Sequence, residues 1–127
     1  MPKFIISFNA RAMDHIPGEE MPAVAGAAHA VVQELLDAGV YVLAGGLENL
    51  RSSVVAIDGS ITDGSPPEAI GGFSIVEVPS RKEALEWAAK LAVACRCAQE
   101  VWEISHDPEL DAMLQRTAGE ADVPSRR

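Results

Sequence analysis

The stretch Ser53–Val78, SVVAIDGSITDGSPPEAIGGFSIVEV, decides the fold of this chain of 127 residues. Two Asp-Gly pairs stand in it, Asp58-Gly59 and Asp63-Gly64. An Asp-Gly pair between apolar runs is typical of a tight hairpin turn, because glycine readily adopts the positive φ that such a turn needs. The first pair therefore predicts a turn between two short strands. The second pair leaves a carboxylate, Asp63, at a strand end beside a Pro-Pro loop, which makes it a candidate for chemistry.

The remaining elements are predicted by working outward from that stretch. Apolar and β-branched runs predict strands at Lys3–Asn9, Val40–Ala44, Ser53–Ile57, Ser60–Thr62, Gly72–Val78 and Glu100–Ser105. A first helix should begin near Glu19–Pro22, carry an apolar stripe at helical spacing and end at Gly39. A second should begin at the capping box Ser80–Glu83 and run to about Ala94. The pattern also allows a short C-terminal helix at Asp107–Gln115.

This order predicts an α+β fold, a ferredoxin-like β-α-β-β-β-α-β sandwich with both helices on one face of an antiparallel sheet. Residues 1–106 should form this domain, and residues 107–127 a short C-terminal helix with a mobile tail. The other sheet face would be uncovered and, depending on register, would carry several of Phe4, Ile6, Phe8, Tyr41, Leu43, Phe73 and Trp102. An apolar face of that size predicts a homodimer packed face to face.

Composition excludes several classes of partner. The net charge of -9 argues against binding to nucleic acid, since neutralising phosphates requires clustered Lys and Arg. No apolar run approaches the roughly 20 residues of a membrane span, and the first residues read as a strand rather than a signal peptide. We therefore expect a cytoplasmic protein with no membrane contact. Cys95 and Cys97 are too close for a normal disulfide within a helix, and no cluster supplies three metal ligands, so neither metal nor cofactor is predicted.

Several motifs in order resemble the YCII-related family, in the branch named for a DGPF motif. They are TDGS at 62–65, GGF at 71–73, the helix SRKEALEWAAK and the strand VWEIS, with EEM…QELLDAGV…AGG matching the first helix and second strand. The resemblance covers about residues 3–105. It implies a ferredoxin-like fold that forms a homodimer, the dimeric α+β barrel, with a cleft in each subunit. In this chain the motif reads Asp63-Gly64-Ser65-Pro66.

The resemblance also implies a choice of functions. Some relatives are small-molecule enzymes, one of them a dehydrochlorinase acting on a chlorinated hydroxyquinol, and a histidine and an aspartate are usually implicated. Members of the DGPF branch are often encoded beside alternative sigma factors, which favours a regulatory role. The hypotheses are therefore a cofactor-independent acid-base enzyme acting by elimination, isomerisation or lyase-type steps on a small, partly apolar substrate, a non-catalytic ligand-binding or regulatory dimer, and a purely structural dimer.

Asp63 and His29 are the candidate catalytic pair. Asp63 could act as a general acid or base, or could hold a histidine in one tautomer. Its alternative is an Asx-turn, in which the carboxylate accepts a hydrogen bond from the amide two residues on. His29 suits proton transfer to a phenol, enol or carbon acid, because imidazole titrates near neutral pH. Its alternative is a histidine at a helix edge, satisfied by solvent.

Four further residues are candidate substrate-binding groups. Ser65 follows the Asp-Gly pair, and its surroundings lack the elbow that activates a nucleophilic serine. Glu48 could project into the cleft from the end of the second strand. Arg51 could hold an anionic substrate, and His15 lies in a loop that could fold over the cleft mouth. Each of the four could equally be a solvated surface side chain.

Overall fold

The computed structural model describes residues 1–48, 52–64 and 68–120 of the chain. Its strands are β1 Lys3–Asn9, β2 Tyr41–Gly46, β3 Ser53–Val55, β4 Ile61–Asp63, β5 Ile70–Glu77 and β6 Glu100–Glu103. Its α-helices are α1 Met21–Asp37, α2 Arg81–Cys95 and α3 Pro108–Glu120. The α3 helix extends beyond the predicted end at Gln115, so residues 118–120 are helical, although a mobile tail was expected over 118–127. Residues 121–127 lie outside the described residues.

The strands form a four-stranded sheet in the order β2-β5-β1-β6, in which every neighbouring pair is antiparallel. The short strands β3 and β4 form a separate two-stranded hairpin. The α+β prediction is therefore confirmed. In the sheet, Phe4 lies opposite Val76, and Ile6 lies opposite Ser74. Irregularities interrupt the register of β1 between Phe8 and Asn9, and of β2 between Tyr41 and Leu43.

Both α1 and α2 contribute to one hydrophobic core on a single face of the sheet. Its buried side chains are Phe4, Ile6, Val31, Leu35, Val76, Val78, Ala84, Ala88, Leu91 and Ala94. The helix α2 is capped as its sequence indicates, since the Ser80 hydroxyl accepts a hydrogen bond from the Glu83 amide at 3.3 Å. Lys90 joins the two helices through an ion pair with Glu34 at 2.5 Å.

The uncovered face of the sheet carries some of the side chains considered for it in the sequence. Phe4 and Ile6 are each 1% exposed, because β1 turns them toward the helices. The alternate residues of β1 face the other way, and Ile5 lies opposite Trp102 of β6. Trp102 is 60% exposed and Leu43 is 51% exposed. Of the side chains considered for this face, Leu43 and Trp102 are therefore exposed, whereas Phe4 and Ile6 belong to the core.

The β3–β4 hairpin, called here the hairpin arm, comprises residues 52–64. Its turn is the predicted one: Gly59 has a φ of 88°, and the Ser60 amide donates to the Asp58 carboxylate at 2.9 Å. The apolar side chains of the arm are exposed rather than packed, namely Val54, Val55, Ile57 and Ile61. An isolated two-stranded hairpin is only marginally stable in water.

The C-terminal helix α3 also keeps apolar side chains at its surface. Leu110, Met113 and Leu114 are exposed, and their spacing places them on one side of the helix. Asp107 caps the helix by accepting a hydrogen bond from the Leu110 amide at 3.0 Å. Within the described ranges, no helix combines the length and apolar character needed to cross a membrane.

Candidate functional site

A cavity of about 480 Å³, called here the inner cavity, lies between the two packed helices and the sheet. Most of the side chains around it are apolar. From α1 it is lined by Met21, Val24, Ala25, Ala28 and Val32, from the sheet by Ile6, Phe8, Tyr41, Ala44 and Phe73, and from α2 by Leu91. A pocket of this size and character fits a small molecule that is largely apolar.

Small residues are the reason that this part of the layer is hollow. Where α1 passes over the cavity it carries Ala25 and Ala28, and the facing end of β2 carries Gly45 and Gly46. The same helix also carries Gly26, which is exposed and would have no atom within 4 Å of an added Cβ. Short side chains at the cavity-lining positions leave space that longer ones would fill.

Polar atoms reach the inner cavity at a few points. They belong to His29, Tyr41, Ser74, Cys95 and Gln99. The Tyr41 hydroxyl accepts a hydrogen bond from the Ala44 amide at 3.1 Å, so its own proton remains to be donated. Few polar groups on an apolar wall are what fixes the orientation of a bound molecule.

His29 lies on α1, and it lines the inner cavity although much of its side chain is exposed. An imidazole at a cavity rim can exchange protons with water and also reach a bound molecule. Ala28, its neighbour, lines the cavity as well. The structure therefore brings one member of the predicted catalytic pair to the cavity.

Asp63 is not among the described residues that line this cavity. It is exposed at the end of β4, where its carboxylate accepts a hydrogen bond from the Ser53 hydroxyl across the hairpin arm. An Asx-type bond of the kind considered for Asp63 is made by Asp58; the amide that Asp63 would need, that of Ser65, lies outside the described residues. The bond from the Ser60 amide, assisted by the Ser60 hydroxyl, holds the pKa of the Asp58 carboxyl below its usual value of 3.8.

The four candidate substrate-binding residues lie away from the inner cavity or beyond what is described. Ser65 and Arg51 lie outside the described residues. Glu48 is exposed just after β2 and does not line the cavity. His15 is exposed in the loop after β1, and from that loop it is Met13 that lines the cavity.

Cys95 and Gln99 are site residues that the sequence prediction missed. Both lie at the C-terminal end of α2 or just after it, and both line the inner cavity. Burial, and secondarily the neighbouring Cys97 thiol, raise the pKa of Cys95 above its usual value of 9.0. The thiol is therefore neutral at physiological pH and acts as a small apolar group. The four-residue spacing of Leu91 and Cys95 along α2 is a signal that could indicate this, since residues four apart share one face of a helix.

A second cavity, called here the outer cavity, has a volume of about 550 Å³ and lies at the end of β1. It is more polar than the inner one and contains the carboxylates of Glu68 and Glu100. Two residues, Phe8 and Gln99, line both cavities. The two spaces are therefore neighbours with a shared boundary.

The function of this site has to be argued from its own residues. In the described part of the chain, no three His, Cys, Asp or Glu side chains form a group that could hold a metal ion. Comparison with known proteins found no match, either to a protein-family model or to a curated protein.

Proposed function

We propose that this protein binds a small, largely apolar molecule with one or two polar groups, such as a phenol or enol, in the inner cavity. The observation that carries the proposal is the cavity itself, about 480 Å³ of mostly apolar space with His29 at its rim and the Tyr41 hydroxyl among its lining groups. This volume lies within the roughly 300–1,000 Å³ range of small-molecule sites. A hydroxyl on the ligand could pair with the imidazole while its ring packs against the apolar wall.

Proton transfer by His29 is the chemistry that such binding would permit. The imidazole could act as general acid or base in a cofactor-independent elimination, isomerisation or lyase-type step. The resemblance to the YCII-related family supports this form of the proposal. Asp63 does not line the cavity of its own subunit. It could approach His29 only if the hairpin arm of a second copy of the chain reached the cavity.

The second candidate function is non-catalytic binding of the same ligand in a regulatory dimer. The observation that favours it is the separation between His29, which lines the cavity, and Asp63, whose carboxylate is bonded to Ser53 on the arm. A lone exposed imidazole suffices to recognise a hydroxyl. In this form the protein would sense a metabolite rather than convert it.

The assembly belongs to the same proposal: a ferredoxin-like domain that pairs through its uncovered face as a dimeric α+β barrel. The strand order β2-β5-β1-β6 and the position of both helices on one face support it. Exposed Leu43 and Trp102 on the other face support it as well. Trp102→Glu should convert a dimer to monomers in light scattering, whereas Val93→Glu, at a position on α2 that is 80% exposed, should not. A monomeric wild-type protein would contradict the assembly.

Ligand binding is tested by calorimetric titration with 4-ethylphenol. The wild-type protein should bind it, and His29→Gln should weaken binding by the loss of about one hydrogen bond to a charged or polar group, roughly 3- to 10-fold. The exposed His15→Gln is the matched control and should bind as the wild type does. An absence of binding by phenols and enols generally would refute the proposed ligand class.

Catalysis is tested separately from binding. The protein is incubated in heavy water with a panel of phenols, enols and carbon acids, and NMR follows deuterium incorporation and new products. Under the enzyme form of the proposal, His29→Gln abolishes the turnover of any molecule that the wild type converts. Binding without turnover across the panel would favour the regulatory form.

A further inference from the structure

We propose that Phe8 is a specificity-determining residue: its ring closes the inner cavity at the end of the sheet and so limits the length of the ligand. The inference rests on the proposed function, since it concerns the same cavity. Phe8 and Gln99 line both the inner and the outer cavity. A molecule longer than the inner cavity would have to pass them to reach the outer one.

The Phe8 ring is held in place by two glycines of β5. A Cβ added to Gly71 would lie 2.9 Å from the ring, and one added to Gly72 would lie 2.7 Å from it. Real Cβ atoms essentially never approach other atoms that closely, so the ring occupies space that only glycine leaves open. Both glycines are buried. The Gly-Gly step of β5 does not fit a phosphate-binding loop. Its role here is to leave the space that the Phe8 ring occupies.

The geometry of the sheet shows why a closing residue is needed here. The strand β6 begins at Glu100, which lies opposite Ser7, so the last two residues of β1 extend beyond it. The register between β1 and β5 also shifts between Phe8 and Asn9. Beside Phe8 and Asn9 the strand β1 therefore has no β6 neighbour, and the Phe8 ring stands at this open edge, between the two spaces that it lines.

Gln99 completes the boundary beside the ring. Its side-chain amide donates a hydrogen bond to the Cys97 carbonyl at 3.4 Å and lies 3.6 Å from the Cys97 sulfur. Beyond the boundary, Glu68 and Glu100 give the outer cavity a negative character. A neutral or cationic tail would be accepted there more readily than an anionic one, because like charges repel.

The test is the chain-length dependence of binding in a series of 4-n-alkylphenols, from methyl to octyl, measured by calorimetry. In the wild-type protein, affinity should rise by roughly fourfold per methylene and then fall once the tail meets Phe8. In Phe8→Ala the rise should continue for several further methylenes. An octyl tail ending in an ammonium group should bind Phe8→Ala more tightly than one ending in a carboxylate.

Phe4→Leu is the matched control, because Phe4 is a buried aromatic residue of the same strand that lines neither cavity. It should lower stability without moving the length limit. An identical limit in the wild type and Phe8→Ala would overturn the proposal. If Phe8→Ala does not fold, Phe8→Leu takes its place, with a smaller extension of the limit expected.

A crystal structure under xenon pressure tests the role of Phe8 independently of alkylphenol binding. If no alkylphenol binds, the proposed ligand class is refuted, but the xenon experiment still tests whether Phe8 separates the two cavities. Xenon sites should be separate in the wild type and continuous across both cavities in Phe8→Ala. Continuous sites in the wild type, or a boundary that persists in the variant because β5 closes the gap, would show that Phe8 is not the wall.

Discussion

The space between the helices and the sheet is filled at one end and hollow at the other. At the filled end Phe4, Leu35 and Val76 meet with almost no exposed surface. At the hollow end α1 presents the small residues Ala25 and Ala28, and β1 presents Phe8, around a cavity of about 480 Å³. Element type and direction are the same at both ends. The difference shows that side-chain volume at a few positions distinguishes the packed core from the cavity that we propose as the ligand site.

The helix α1 carries the contrast along its own length. Its C-terminal half places Val31 and Leu35 in the core, and its N-terminal half places Ala25 and Ala28 over the cavity. Interiors are normally packed as densely as organic crystals, so the space beside the N-terminal half of α1 is a departure from ordinary packing. Variants at matched positions on this helix test whether its two halves differ in this way.

The largest expected effect is at the filled end. Leu35→Ala should lower the free energy of unfolding by about 2–5 kcal/mol, because it leaves a cavity where the side chain is fully buried. The neighbouring Leu36→Ala, at an exposed position, should change it by less than about 0.5 kcal/mol. Urea denaturation followed by circular dichroism measures both. Equal effects would mean that α1 is not oriented as described.

A smaller change in stability but a large change in binding is expected at the hollow end. Ala28→Phe should fill the inner cavity, with a change in unfolding free energy within about 1–3 kcal/mol and a loss of 4-ethylphenol binding of at least about tenfold. Ala27→Phe is the control, because Ala27 is exposed and does not line the cavity. Unchanged ligand binding in Ala28→Phe would mean that the ligand occupies another site.

A still smaller effect concerns the pH dependence of stability. The pKa of Cys95 is raised above 9.0 in the folded protein, chiefly by burial, so folding favours the protonated thiol. The resulting stabilisation is fully present below the unfolded pKa and is lost as pH rises through the folded one. Thermal stability should therefore decline as the pH rises above about 9, and less steeply in Cys95→Ala. A decline of equal slope in both proteins would assign it to other groups.

Local chemistry predicted the elements well. The capping box at Ser80, the hairpin turn at Asp58-Gly59 and the apolar stripe of α1 each follow from short-range rules, and the structure has all three. Element ends were less accurate: β6 ends at Glu103, where the prediction extended to Ser105. Strand ends depend on pairing partners, which a single strand does not specify.

The facing of β1 and the cavities could not be predicted, because both depend on register. The strand β1 has apolar residues at alternate positions, Phe4, Ile6 and Phe8, as any half-buried strand does. The local sequence does not specify which face of the strand the helices cover. The irregularity between Tyr41 and Leu43 shifts the alternation of β2 as well. His29 was found because its residue type suggests proton transfer, whereas Gln99 carries no such signal.

Gly26 should affect the rate at which a ligand enters and leaves the inner cavity. A glycine in the middle of a helix costs about 0.5–1 kcal/mol relative to alanine, and here an added Cβ would meet no atom within 4 Å. The turns of α1 over the inner cavity should therefore open more often than those over the core, and amide hydrogen exchange should be faster at residues 24–30 than at 31–37. Gly26→Ala should slow both that exchange and the association of 4-ethylphenol. Such a result would mean that the ligand enters the cavity when the N-terminal half of α1 opens.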